Sequence, residues 1–130
     1  MNQIGLTHLL VLSTYYNNSH YHNIALQMVE QTTPSIDYPS AYSNWLRISM
    51  LVNMPSKELA ICGPNALIEI TKLNAHYHPN IILGGSQKQS NLPFLKDRNQ
   101  DNQTLFYACE NKTCSLPVNS CSKISTEFLH

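Results

Sequence analysis

The chain has 130 residues, the size of a single domain with a real core, of which 42% are hydrophobic and only 12% charged, about half the usual globular share of charge. Eight basic and eight acidic side chains cancel, and with no basic run nothing attracts a phosphate backbone, so nucleic acid is excluded as an expected partner. The shortage of charge points to surface that something else covers.

From Met1 to Val29 there is no Asp, Glu, Lys or Arg. The apolar segment from Ile4 to Leu12 is too short to span a bilayer. It also lacks the positive flank and small-residue cleavage site of an export signal, so the expected setting is the cytoplasm, with no membrane partner. Between Ile4 and Tyr16 the apolar residues are too dense for strict alternation, and Leu9, Leu12 and Tyr16 carry helical spacing. Asn17-Asn18-Ser19 is a turn rich in capping residues. After it Tyr21, Ile24, Ala25, Met28 and Val29 recur at three and four, which predicts an amphipathic helix to about Gln31 and hence an αα-hairpin. Thr32-Thr33-Pro34-Ser35 breaks that helix. Pro39-Ser40 opens a third, with Ala41, Trp45, Ile48, Leu51 and Val52 on one face and an end near Asn53.

The character then changes. Glu58-Leu59-Ala60-Ile61-Cys62-Gly63-Pro64-Asn65 reads as a strand, centred on Leu59 to Ile61, that feeds a helix through a Gly-Pro corner. Ala66, Leu67, Ile70 and Leu73 give that helix its buried stripe. Asn80-Ile81-Ile82-Leu83-Gly84-Gly85 is a second strand, an uninterrupted apolar run of the kind expected when both faces of a sheet are covered. Pro93-Phe94-Leu95 predicts a short helix before a polar loop over Lys96 to Gln103, and Thr104 to Ala108 a third strand. The fold class expected is α/β: a helical hairpin plus a third helix over residues 1–53, then a small three-stranded, mainly parallel unit over 54–130 with right-handed crossovers. Cys109 to Val118 reads as a loop and Ser122 to Leu129 as a final short helix.

No complete catalytic, metal or phosphate-binding constellation can be assembled, so no catalytic residue, metal or cofactor is assigned. The four cysteines, Cys62, Cys109, Cys114 and Cys121, are even in number, but without an export signal they read as free thiols. Cys109 and Cys114 are five apart and Cys121 seven further on. Neither a zinc site nor a redox Cys-x-x-Cys matches that spacing well, which leaves incidental thiols set against a thiol role. His-Tyr-His occurs twice, with His20 and His22 opening a predicted helix and His76 and His78 ending one. An extended backbone would put each pair on one side, whereas on a helix they diverge by about 200°; helix-end histidines are the favoured reading. Gly63 and Asn65 sit where an α/β fold often binds ligand, at a strand's carboxyl end. No phosphate-binding fingerprint accompanies them and Pro64 removes a donor, so a structural turn is favoured.

Several segments carry a family resemblance. Tyr38-Pro39-Ser40-Ala41-Tyr42, Glu58 to Gly63, Pro79-Asn80-Ile81-Ile82-Leu83, Pro93-Phe94-Leu95-Lys96-Asp97-Arg98, and Tyr107 through Cys109, Cys114 and Pro117-Val118 resemble the carboxyl-terminal end of the thioredoxin-domain-containing family of the YyaL and spermatogenesis-associated protein 20 type. The Cys-x4-Cys-x2-Pro-Val ending is the most specific part. The resemblance implies that residues 1–53 are the last helices of a six-hairpin-type barrel and 54–130 an appended α/β unit. It supplies no counterpart here for the family's thioredoxin-like domain or most of its barrel. The function expected is therefore a non-catalytic carboxyl-terminal module, acting through self-association or a helical protein partner over residues 4–29. The alternative is a small thiol- or metal-binding protein using Cys109, Cys114 and Cys121.

Overall fold

Two adjacent asparagines organise the first helices. Asn17, at φ 48°, takes the left-handed position that closes a helix. The amide of Asn18 donates to Ser13 O at 2.9 Å and that of Asn17 to Thr14 O at 3.2 Å, the paired bonds of a Schellman cap. The Asn18 side chain then turns the other way and accepts from the amides of His20 and Tyr21, capping the next helix. The result is α1 (Gln3–Tyr15) followed at once by α2 (Ser19–Thr32).

The computed structural model describes residues 3–100 and 102–130. Met1, Asn2 and Asp101, the last within the polar loop expected over Lys96 to Gln103, lie outside the described residues. The chain divides into two compact units, Met1–Met54 and Pro55–His130. The first is helical: short 3-10 turns at Thr33–Ser35 and Pro39–Tyr42 lead from α2 into α3 (Ser43–Asn53). Its core is Leu6, Ala25, Val29 and Ile48, with Leu9, Leu10, Met28, Trp45 and Val52 packed around them.

The second unit contains β1 (Lys57–Cys62), α4 (Ala66–Asn74), β2 (Ile81–Ser86), β3 (Leu105–Glu110), β4 (Thr113–Cys114) and α5 (Thr126–Leu129). The fold is thus mixed α/β, but the sheet differs from the expected one. It has four strands in the order β2-β1-β3-β4, and within it β1 is parallel to β2 and antiparallel to β3. The reason lies in the segment after β2. Pro93-Phe94-Leu95 makes only a turn, in which the amides of Leu95 and Lys96 both reach Leu92 O at 2.8 Å, so no crossover helix returns the chain to the other end of the sheet. β3 therefore begins beside the carboxyl end of β1, Leu105 opposite Cys62, and runs back. β2 is left at an edge and half-buried throughout, so its apolar run does not mark a strand covered on both faces.

Alternation along the central strands makes two faces. One carries Leu59, Ile61 and Phe106, packed with Ala66, Leu73 and Ile124 as the core. The other carries three cross-strand pairs, Glu58 with Cys109, Ala60 with Tyr107, and Cys62 with Leu105. The expected final helix is split in two, a 3-10 turn at Cys121–Lys123 and the single turn of α5.

Candidate functional site

The stretch read as a loop, Cys109 to Cys114, is a hairpin. Asn111 and Lys112 adopt φ of 49° and 64°, the left-handed pair that a two-residue turn between antiparallel strands requires. That turn fixes the register, pairing Glu110 with Thr113 and Cys109 with Cys114. The amide of Ser115 reaches Ala108 O at 2.9 Å, which makes Cys109 and Cys114 a pair without mutual backbone bonds, the kind whose side chains lie closest. They form a disulfide. The expectation of four free thiols is corrected here: Cys62 and Cys121 are free, whereas Cys109 and Cys114 are bonded because the turn holds them face to face.

Sequence reasoning missed Arg98. An arginine in a polar loop has no periodic signature, and only the fold carries it to this face. Asp97, at φ 60°, turns the chain, and the Arg98 guanidinium settles 5.6 Å from the centre of the Phe94 ring and 5.3 Å from that of Tyr107, within range of cation–π attraction to both. The Tyr107 hydroxyl donates to Arg98 O at 2.8 Å, which locks the loop to β3. The guanidinium Nη2 then lies 3.8 Å from Cys109 Sγ and 3.7 Å from Cys114 Sγ. Nη1 is buried with no hydrogen-bond acceptor among the described residues.

Two more titratable groups share this face. Glu58 is 8% exposed, and burial pushes its carboxyl above the usual carboxylate range although the charges of Arg98 and Lys112 pull it back. Burial likewise pushes the Cys62 thiol up, against a backbone hydrogen bond at Ser86 and the Arg98 charge. Cys62 is thereby kept as an inert thiol at the other end of the strand from Cys109. Because the Glu58 pKa is raised on folding, the folded state holds that proton more tightly than the unfolded chain does, and stability falls as pH rises from the unfolded value of about 4.3 through the folded one. Glu58→Gln is therefore expected to melt higher than the parent chain at pH 7, with the gap closing as pH falls to about 4. Melting curves across that range check it, and a less stable variant at neutral pH would overturn the burial argument.

Cys121 does not join the pair. It packs against the core on the opposite face of the sheet, and burial together with the Glu69 carboxylate pushes its thiol up. His20 and His22 lie in the first turn of α2, both exposed. His76 and His78 follow α4 with ring centres 6.4 Å apart. Their Nδ1 atoms meet Lys72 O at 3.3 Å and Leu129 O at 3.0 Å, bonds that fasten the ends of α4 and α5. Among the described residues no three histidine, cysteine or carboxylate side chains gather around a point that could hold a metal ion.

The Gly63 and Asn65 corner is filled from within the chain. The Asn65 amide, the donor a ligand would use, donates to Thr104 Oγ1 at 2.9 Å, and the Gln87 side-chain amide donates to Pro64 O at 3.1 Å. Elsewhere, a cleft of about 480 Å³ opens on the core face, lined in part by Lys57, Phe106, Leu116, Lys123 and Phe128. The Lys57 ammonium there donates to Glu127 O and Phe128 O and so ties down the end of α5. The disulfide with Arg98 against it is thus the chemically distinctive group of this unit. No protein-family model, curated protein or solved structure matches the chain.

Proposed function

We propose that the chain is a non-catalytic carboxyl-terminal module of the thioredoxin-domain-containing, six-hairpin-barrel family, working by packing its first helices against a helical partner. On this reading residues 1–53 are the last helices of the barrel, 54–130 are its α/β appendage, and the setting is cytoplasmic. No catalytic residue, cofactor or metal is assigned. Among the described residues no helix is long and apolar enough to cross a membrane.

The observation that carries the reading is α1. Leu6 is fully buried on one side, while Ile4 is 69% and Leu12 42% exposed on the other, and Tyr16, just past the end of the helix, is 56% exposed. A helix apolar on both sides is normally covered on both. In a pure solution the partner at hand is a second copy. Light scattering at rising concentration is expected to give a mass above the 14.7 kDa of one chain. Ile4→Gln with Leu12→Gln is expected to weaken that association at least tenfold, since burying each side chain is worth about 1.5–3 kcal/mol. A constant monomer mass with no binding of an exposed-surface dye would sink the reading.

The alternative, a small thiol protein using Cys109 and Cys114, is favoured by one observation: a guanidinium placed against both sulfurs of their disulfide. Nothing comparable favours Cys121 or a metal.

A further inference from the structure

We propose that the Cys109–Cys114 disulfide is a reversible exchange site for a dithiol reductant, attacked at Cys114 and releasing Cys109 as a thiolate beside Arg98. The proposal rests on the thiol reading and is independent of how α1 packs. Three observations converge on it. Cys114 is exposed on the two-residue β4, whereas Cys109 is 1% exposed within β3, so an incoming thiolate can reach only one of the two sulfurs. The Arg98 guanidinium stands within 3.8 Å of both sulfurs, held there by two aromatic rings. Its buried Nη1 has a donor to spare for charge that develops nearby.

The chemistry balances without a further reactant. A thiolate of the dithiol attacks Cys114 Sγ, an intermolecular disulfide forms, and the Cys109–Cys114 bond breaks with its electron pair on Cys109 Sγ. A thiolate buried at that position would ordinarily be a poor leaving group, and the adjacent guanidinium offsets this. The second thiol of the reductant then attacks its own sulfur in the mixed disulfide. Cys114 is released, the reductant closes to its disulfide, and the two protons of the dithiol end on Cys109 and Cys114. The protein pair is reduced and the dithiol oxidised. Oxidation of the chain is the same sequence reversed. Cys62 takes no part, since it lies four residues along β1 from Glu58, the partner of Cys109.

The test uses the full chain in native buffer with dithiothreitol, with glutathione in a parallel arm, followed by acid quenching, alkylation and peptide mapping. Expected are two new labels, on Cys109 and Cys114, while Cys62 stays unlabelled until denaturant is added, and a glutathione adduct on Cys114 rather than Cys109. Arg98→Met is expected to slow reduction at least about fivefold, the effect of one charge at about 4 Å even when screened as in bulk water, and Arg98→Lys to recover most of the rate. If Cys62 becomes reactive in step with the pair, reduction needs unfolding and the thiol reading itself fails. If the pair reduces natively but the adduct sits on Cys109, or Arg98→Met reacts at the parent rate with Cys62 protected, the thiol reading stands and the proposed direction and role of Arg98 fall. Should Arg98→Met expose Cys62, the adduct mapping on the unaltered chain decides alone.

Discussion

Gly63→Ala is expected to destabilise the Pro55–His130 unit by about 2–6 kcal/mol. Gly63 sits at φ 134°, a conformation L side chains rarely adopt, and holding a non-glycine residue there costs about 1–3 kcal/mol. A Cβ at this position would also run into the backbone of Gln103 and Thr104. Those atoms have little room to yield: the Gln103 amide is bonded to Gln100 O at 3.1 Å, and Thr104 Oγ1 holds the Asn65 amide at 2.9 Å. Overpacking of this kind adds about 1–3 kcal/mol. The corner is thus a clasp between the exit of β1 and the entry to β3, and glycine is what lets the two segments touch. Amide exchange of β1 at rising urea concentration is the measurement, since it reports on this unit alone. A loss below about 1 kcal/mol would mean that the close approach contributes little.

That clasp also shows why the sheet was only partly legible. The hydrophobic runs at Leu59 to Ile61 and Ile81 to Leu83, and the helical spacing of Ala66, Ile70 and Leu73, are local signals, and β1, β2 and α4 appear where those signals lie. The helices of the first unit are legible for the same reason, Asn17 and Asn18 marking the joint within a residue or two. Strand direction is not local. Whether β3 runs with β1 or against it depends on whether Pro93 to Leu95 builds a crossover helix, and three apolar residues beside a proline do not settle that. The hairpin is concealed differently: Asn111-Lys112 is a weaker turn signal than Asn-Gly, and Cys-x4-Cys matches neither a metal nor a redox spacing. A two-residue turn inside the same spacing places the sulfurs opposite each other by register alone. Arg98 had no signal of its own. Its role comes from Phe94 and Tyr107, one in the same loop and one on a strand, meeting around it.

Leu6→Ala is expected to unfold the helical unit while leaving the sheet intact. Truncating a fully buried leucine costs about 2.7–5 kcal/mol, more where the cavity cannot collapse. Leu6 is 0% exposed and, among the described residues, is one of four buried apolar residues at the centre of that unit's core. A unit of roughly 50 residues has little stability to spare, because so small a core contributes only a few kcal/mol beyond the entropy of ordering the chain. The far-ultraviolet signal of α1, α2 and α3 should therefore be lost at 25 °C, while β1 amides and Cys62 stay protected. Loss of β1 protection in step with the helical signal would show that the two units unfold as one. The opposite face of the same helix supplies the control: Leu12→Ala, at a position 42% exposed, should cost well under half as much in dilute solution. Raising the protein concentration should separate the two variants further. A partner seated on the outward face binds only folded α1 and so stabilises it by mass action; Leu6→Ala should regain helix as concentration rises, because its outward face is unaltered. Leu12→Ala should gain less than the parent chain does, having lost part of the surface on which the partner sits.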